Sequence, residues 1–545
     1  MKHTFTIEKG LYLIGAFIAL IGIVFAIIRS DYVLKIPLFM EATYPPVASQ
    51  TISANDGTVD TFYLLDSKGD VRLGEILTDR LENTGKQVTT AHIEDVTALP
   101  PVHAVIIATE HLDRLQDRDI LLDYVNEGGT VFFATRPSPS TRLMEVYRQI
   151  GLIEIGTFVE TTGVRLTSPY FNESTSQSFD TEALLNSSLA VRLDPSAHLM
   201  ATSSEDIPLL WSQVYGEGRF IVFNGTMMHE VTKQAPLFIG LDQGAPFLRP
   251  VINAKVTTVK EFPFLSSNER RLSKSMTDRD YYRNVFWADM QRLEAKYDLN
   301  YVLATTSPSL NPTRSTSAYS EDLALYGRET LRSGGEIAAL GASDAQFLAT
   351  KQQFDYALPG LNVQSVYLTA DVAVPDALPD ASVEVGLSQM PFEEEGTLAL
   401  STTSLDFEDP AWTEWGLFNE LVSSGFVSME LNPKALTSAA EGEAYIKSFK
   451  QLLTAQQKEV PWIRTMTASD ARANHHFYNG KIYSKQSGNS YTYTLDEMAG
   501  ETYFYFHAAS RVTDVENCEV ERIGPDLYLV RTDALSFTIR LEGDV

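Results

Sequence analysis

From Leu11 to Ile28 the chain reads LYLIGAFIALIGIVFAII, 18 consecutive positions without a charge. As a helix this run spans roughly 27 Å, close to the hydrocarbon thickness of a bilayer. A cleavable leader would carry a shorter apolar run followed by a small-residue cleavage site, and none follows here. The pattern therefore predicts an uncleaved single-pass anchor within residues 1–30. Lys2 and Lys9 before the run nearly balance Arg29 and Lys35 after it. Orientation then rests on the short N-terminal tail, which predicts that the bulk of the chain lies outside the cytoplasm.

After a polar linker (31–57), strand-length and helix-length apolar blocks alternate. TFYLLD (61–66), VHAVIIAT (102–109) and TVFFAT (130–135) read as buried strands. VRLGEILTDRLENTG (71–85) and DRDILLDYVNEGG (117–129) read as helices that stop at glycine. GEGRFIVFNGT (216–226) adds a further strand. This alternation predicts a doubly wound parallel sheet over residues 58–245. From 246 to 472 a second α/β series follows: VINAKVTTV (251–259), a long helix at 279–300, YVLATT (301–306), a helix at 320–332, a short apolar strand and a small-residue loop, NVQSVYLTADV (362–372), TLALSTTS (397–404), WGLFNELVSSG (415–425), FVSMEL (426–431) and a helix at 442–460. Little of it alternates with period two, which argues for a distorted (β/α) barrel. From 473 the pattern changes to short alternating strands such as YTYTL and SFTIRL, the signature of a small β-sandwich.

Composition narrows the function. A formal net charge of −28 opposes a nucleic-acid partner, because a phosphate backbone demands basic surface. A cationic polymer would be attracted. One cysteine, Cys518, excludes an intramolecular disulfide and a cysteine-rich metal site. In the first domain Glu110 and His111 follow a strand, where such sheets bind ligands; they form either an acid/base pair or a solvated loop capped by Asp113. No G-x-G-x-x-G spacing follows the first strand.

The first domain, including YVNEGGTVFFAT (124–135), resembles the class I glutamine-amidotransferase fold, without a cysteine to serve as its nucleophile. In the barrel, three places stand out: Lys260-Glu261-Phe262-Pro263, Leu340-Gly341-Ala342-Ser343-Asp344, and Asn432-Pro433 after Glu430 and Leu431. With PWIRTMTASDA (461–471) leading into the β-tail, their order resembles the polysaccharide deacetylases of the chitooligosaccharide-deacetylase type. It is most similar to the membrane-anchored deacetylase-like proteins of Gram-positive Pel exopolysaccharide loci.

That resemblance implies a metal-dependent deacetylase site: an Asp-Asp pair, an H-x-x-x-H loop and a late histidine. A divalent metal would polarise the acetamide carbonyl and its bound water, while a carboxylate takes the proton. Here those positions hold Lys260 and Glu261, Leu340 and Asp344, and Asn432, and no histidine occurs between His229 and His475. An imidazole-based zinc site cannot be built from this barrel alone. Glu261 and Asp344 either hold a hard cation such as Ca²⁺ or Mg²⁺, or pair with Lys260 while Leu340 closes the site with apolar packing. His475 and His476 could reach back over the barrel mouth. The resemblance thus implies a catalytically degenerate homologue with no cofactor, serving as a glycan-binding or scaffold subunit in exopolysaccharide synthesis, modification or export. Tyr367, Trp412 and Trp415 are candidate sugar-stacking residues beside Glu261 and Asp344. The alternatives are an enzyme with an unusual carboxylate site, and a purely structural docking protein for other export proteins.

Overall fold

A computed structural model describes residues 17, 20, 58–172, 177–264, 271–310, 317–341, 343–367, 382–385, 392–394, 397–475, 480–496 and 500–543. The expected anchor and linker lie outside them, apart from Phe17 and Leu20, which are both exposed. Among the described residues no helix is long and apolar enough to cross a membrane.

The first domain is built on a nine-stranded sheet. Gln87–His92, Thr61–Asp66, Ala104–Ile107, Thr130–Phe133 and Gly218–Phe223 run parallel in that order. Apart from the polar edge strand Gln87–His92, these strands are largely apolar on both faces because helices such as Arg72–Glu82 and Asp119–Asn126 cover both sides. An antiparallel extension (Pro208–Tyr215, His198–Thr202, Val164–Leu166, Ser178–Phe179) continues the sheet towards the second domain.

The second domain is built on a curved parallel sheet, a half-barrel. Ala254–Lys260 pairs in parallel with Tyr301–Thr305 on one side and Phe426–Leu431 on the other. The ladder continues through Glu336–Leu340, Ser365–Tyr367 and Ser382–Val385 to Thr397–Ser401. That last strand runs on through Thr402 into Thr403–Ser404, which pairs with Phe426–Leu431. The parallel sheet therefore curls over seven short strands as a half-barrel, with one segment serving two neighbours. Alternate positions of each strand point inward: Ala254, Val256, Val302, Ala304, Ala338, Leu340, Tyr367 and Phe426 form one interior cluster. Helix Ala468–His475 packs at the opposite end from the mouth, where Met466 N–H donates to Lys255 and Asn474 donates to the Ile252 carbonyl. The backbone of His475 thus lies at the end opposite the mouth, which does not favour a reach back over it; His476 lies outside the described residues.

The C-terminal sandwich is larger than residues 473–545. Its five-stranded sheet includes Thr58–Val59 and its four-stranded sheet includes Phe247–Val251, which pairs with Thr502–His507. The chain therefore enters and leaves the first domain through the sandwich, so the three domains share one framework.

Gly425 sets the angle between helix Pro410–Ser424 and the strand that delivers Glu430. It sits at φ +61°, with its N–H donating to the Leu421 carbonyl, and an added Cβ would lie 2.5 Å from Val251 Cβ. Gly425→Ala is expected to cost about 2–3 kcal/mol, the left-handed penalty plus the clash. Gly360, at φ +87° with open space around it, serves as control. Gly360→Ala should cost only about 1 kcal/mol; equal midpoints for the two variants in chemical denaturation would contradict this.

Candidate functional site

Strand alternation brings Lys260, Tyr367 and Glu430 together at the carboxyl end of the barrel, where (β/α) barrels carry their chemistry. Lys260 Nζ lies 3.2 Å from both Glu430 carboxylate oxygens and 5.3 Å from the Tyr367 ring centre. Ser404 Oγ donates to Glu430 Oε1 at 2.8 Å. The Glu430 side chain is 6% exposed and that of Lys260 is 21% exposed, so the pair is largely shielded from water. Burial raises the Glu430 carboxyl above its ordinary range; Lys260 offsets part of the shift and Glu261 adds to it.

Around this pair stand polar atoms with no partner among the described residues: the Tyr367 hydroxyl and Asn432 Oδ1. Asn432 N–H donates to the Tyr445 hydroxyl at 2.9 Å, which fixes its backbone and leaves the side-chain carbonyl uncommitted. Opposite, Gln346 Nε2 donates to Thr306 Oγ1 at 2.6 Å and to the Ser307 carbonyl at 2.9 Å, tying together two loops of the rim. The mouth thus combines one shielded ion pair with acceptors and hydroxyls suited to a hydroxyl-rich ligand.

Several expected roles change. Lys260 pairs with Glu430, not with Glu261 or Asp344. Glu261, at φ +52° where the chain leaves its strand, instead bonds Lys434 Nζ at 2.6 Å on the surface. Asp344 is exposed in the first turn of helix Asp344–Ala357, so the small-residue loop passes directly into a helix. Leu340 is buried in the interior cluster. Trp415 cannot stack on a sugar: it is fully buried, with Nε1 donating to the Thr232 carbonyl. Trp412 packs half-buried near Lys233, outside the mouth. Tyr367 is 2% exposed, so its ring cannot act as a stacking platform. In the first domain, Glu110 is held by Arg136 and Ser138, each at 3.0 Å, and is not paired with His111.

The implied divalent metal does not fit these residues. An ammonium and an alkyl group stand at two of its ligand positions, and Glu261 is already neutralised by Lys434. Among the described residues, no three His, Cys, Asp or Glu side chains could hold a metal ion together. Cys518 lies in the sandwich, and burial pushes its thiol up to about 11, which makes it an inert residue remote from the first domain.

Sequence reasoning missed Glu430, Ser404 and Lys434 as site residues. The available signal was a lone carboxylate at an inward position of the otherwise uncharged strand FVSMEL.

Across solved structures the architecture recurs as a whole in Agd3, a carbohydrate deacetylase. The match has a TM-score of 0.51 at 10% identity and covers 90% of this chain and 99% of that one. The fold is shared with Agd3. Partial matches include an exo-β-1,4-mannosidase from Opitutaceae bacterium strain TAV5 (TM-score 0.24, 17% identity, 31% of each chain). Another is a β-galactosidase from Bacillus circulans sp. alkalophilus (TM-score 0.25, 14% identity, 34% of this chain and 31% of that one). A family model, DUF2194, described as an uncharacterised protein conserved in bacteria, matches residues 175–341 and 432–529. No curated protein matches the chain by sequence.

Proposed function

We propose that this chain is a carbohydrate-recognising protein on a deacetylase-type scaffold, with the barrel mouth as its glycan site and without metal-assisted deacetylation. The supporting observation is the mouth itself, where the shielded Lys260–Glu430 pair is ringed by the uncommitted Tyr367 hydroxyl and Asn432 Oδ1. Such groups recognise sugar hydroxyls or amides by orientation. In this reading residues 11–28 anchor the protein, the remainder lies outside the cytoplasm, and the amidotransferase-like first domain acts as scaffold. The ligand is an exopolysaccharide, such as a Pel-like amino-sugar polymer, during synthesis, modification or export. The acidic chain favours a partly deacetylated, cationic form.

The test is retention on partly deacetylated and fully acetylated poly-N-acetylhexosamine, run beside an acetate-release assay. Binding without acetate release, weakened about tenfold or more by Asn432→Ala, is expected. No retention on any amino-sugar polymer, together with capture of other export proteins, would favour a docking role instead. A second reading has one observation behind it: Glu430 carries a raised carboxyl that senses Glu261, as an acid/base pair requires. Acetate release or chain cleavage lost in Glu430→Gln would establish that reading in place of the first.

A further inference from the structure

A cavity of about 120 Å³ lies where the first domain meets the barrel, between strand Ser178–Phe179 and helices Pro410–Ser424 and Ala439–Glu459. Its wall is mainly apolar, with the tilted Phe179 and Phe418 rings 4.9 Å apart and Leu417 and Leu421 beside them. A comparably sized apolar cavity elsewhere is known to hold a benzene-sized guest. Five polar side chains break the wall: Gln177, Ser178, Gln456, Glu414 and Glu459. Gln456 is 8% exposed, and its Oε1 is buried without a partner among the described residues. Glu414 stands at the exposed rim of the cavity and Glu459 is half-buried; neither forms an ion pair among the described residues, and partial desolvation raises both carboxyls, with Glu414 further raising Glu459.

We propose that this cavity binds a small organic ammonium, its apolar body against Phe179, Phe418 and Leu421 and its cation at Glu414, Glu459 and Gln456 Oε1. Charge complementarity selects this occupant. An anion would be repelled by both carboxylates, and a guest without a hydrogen-bond donor would leave the Gln456 acceptor unmet. A cation brought there offsets the mutual repulsion and donates hydrogen bonds to all three acceptors. The position between two domains is a common one for small-molecule sites, and occupancy would tie the domains together. None of the barrel-mouth residues takes part, so this site stands apart from the glycan reading.

The test titrates the full chain with benzylamine and, in parallel, with toluene as the neutral isostere. Saturable benzylamine binding is expected, at least about tenfold tighter than toluene. Glu414→Gln combined with Glu459→Gln should bring the two affinities within about twofold of each other. Leu421→Trp should abolish both by filling the space, and Ala455→Leu, from the other helix, provides an independent filling variant if the tryptophan disturbs folding. Glu430→Gln should leave benzylamine binding unchanged. Absence of saturable benzylamine binding at millimolar concentration would overturn the proposal, as would equal affinity for benzylamine and toluene or an affinity unmoved by the double glutamine variant.

Discussion

Replacing Lys260 with methionine is expected to lower stability by about 3 kcal/mol at neutral pH, because it strands a buried carboxylate. The figure sits at the low end for a broken buried pair, since the Lys260 side chain keeps 21% of its exposure to water. Its pH dependence separates this cause from lost packing. Burial already raises the Glu430 carboxyl, and the Lys260 ammonium opposes that shift. Without Lys260 the folded-state value rises further above the unfolded one. A raised carboxyl contributes most stability when protonated, below its ordinary range, and that contribution is lost as pH rises through the folded value. The Lys260→Met penalty should therefore shrink as pH falls from neutral towards the ordinary carboxylate range. Adding Glu430→Gln should recover most of it at neutral pH. A penalty that is flat with pH, unchanged by the second substitution, would mean that only the lysine stem mattered.

How far the mouth could be read in advance depended on chain distance. Lys260, Leu340 and Asn432 each end or follow an apolar run, so strand length alone places them at one end of a parallel barrel. The partner of Lys260 was not legible, because Glu430 is 170 residues away and reaches it only through the pairing of Ala254–Lys260 with Phe426–Leu431. Nearby charges at Glu261 and Asp344 looked equally suitable on paper, but strand alternation points Glu261 away from the interior. The same limit hid the sandwich strands Thr58–Val59 and Phe247–Val251, whose partners lie far along the chain. Trp415 misled for another reason: a tryptophan offers the same surface to a sugar as to a core, and Phe179 and Phe418 claim it. Helix Asp344–Ala357 did carry a local signal, the Ser343-x-x-Gln346 spacing, and Ser343 Oγ indeed accepts from Gln346 N–H at 3.3 Å. Its apolar stripe is weak, so periodicity alone passed over it.

The largest stability loss is expected where the three domains meet, on replacing Arg249 with methionine. Arg249 belongs to sandwich strand Phe247–Val251 and is fully buried. Its Nη2 donates to the Tyr170 hydroxyl at 2.8 Å, and that hydroxyl donates to Asp242 at the end of helix Ala235–Leu241. Nη1 donates to the Ser423 carbonyl of the barrel helix at 3.3 Å, and the guanidinium lies 4.8 Å from the Phe238 ring and 4.9 Å from the Tyr505 ring. Asp242 is 1% exposed, with Oδ1 unpartnered among the described residues, so Arg249, 3.8 Å away, is the nearby cation that balances it. Removing it should cost about 3–5 kcal/mol, the usual loss when one member of a buried pair is left charged. Methionine keeps much of the stem's volume, so the cost reports charge more than cavity. Asp242→Asn in the same chain removes the stranded charge, and the double variant should lie closer to the native midpoint in chemical denaturation than Arg249→Met alone. If the double variant is no more stable than the single one, the guanidinium holds the domains together through its aromatic stacking and its bond to Ser423, and the charge of Asp242 is incidental.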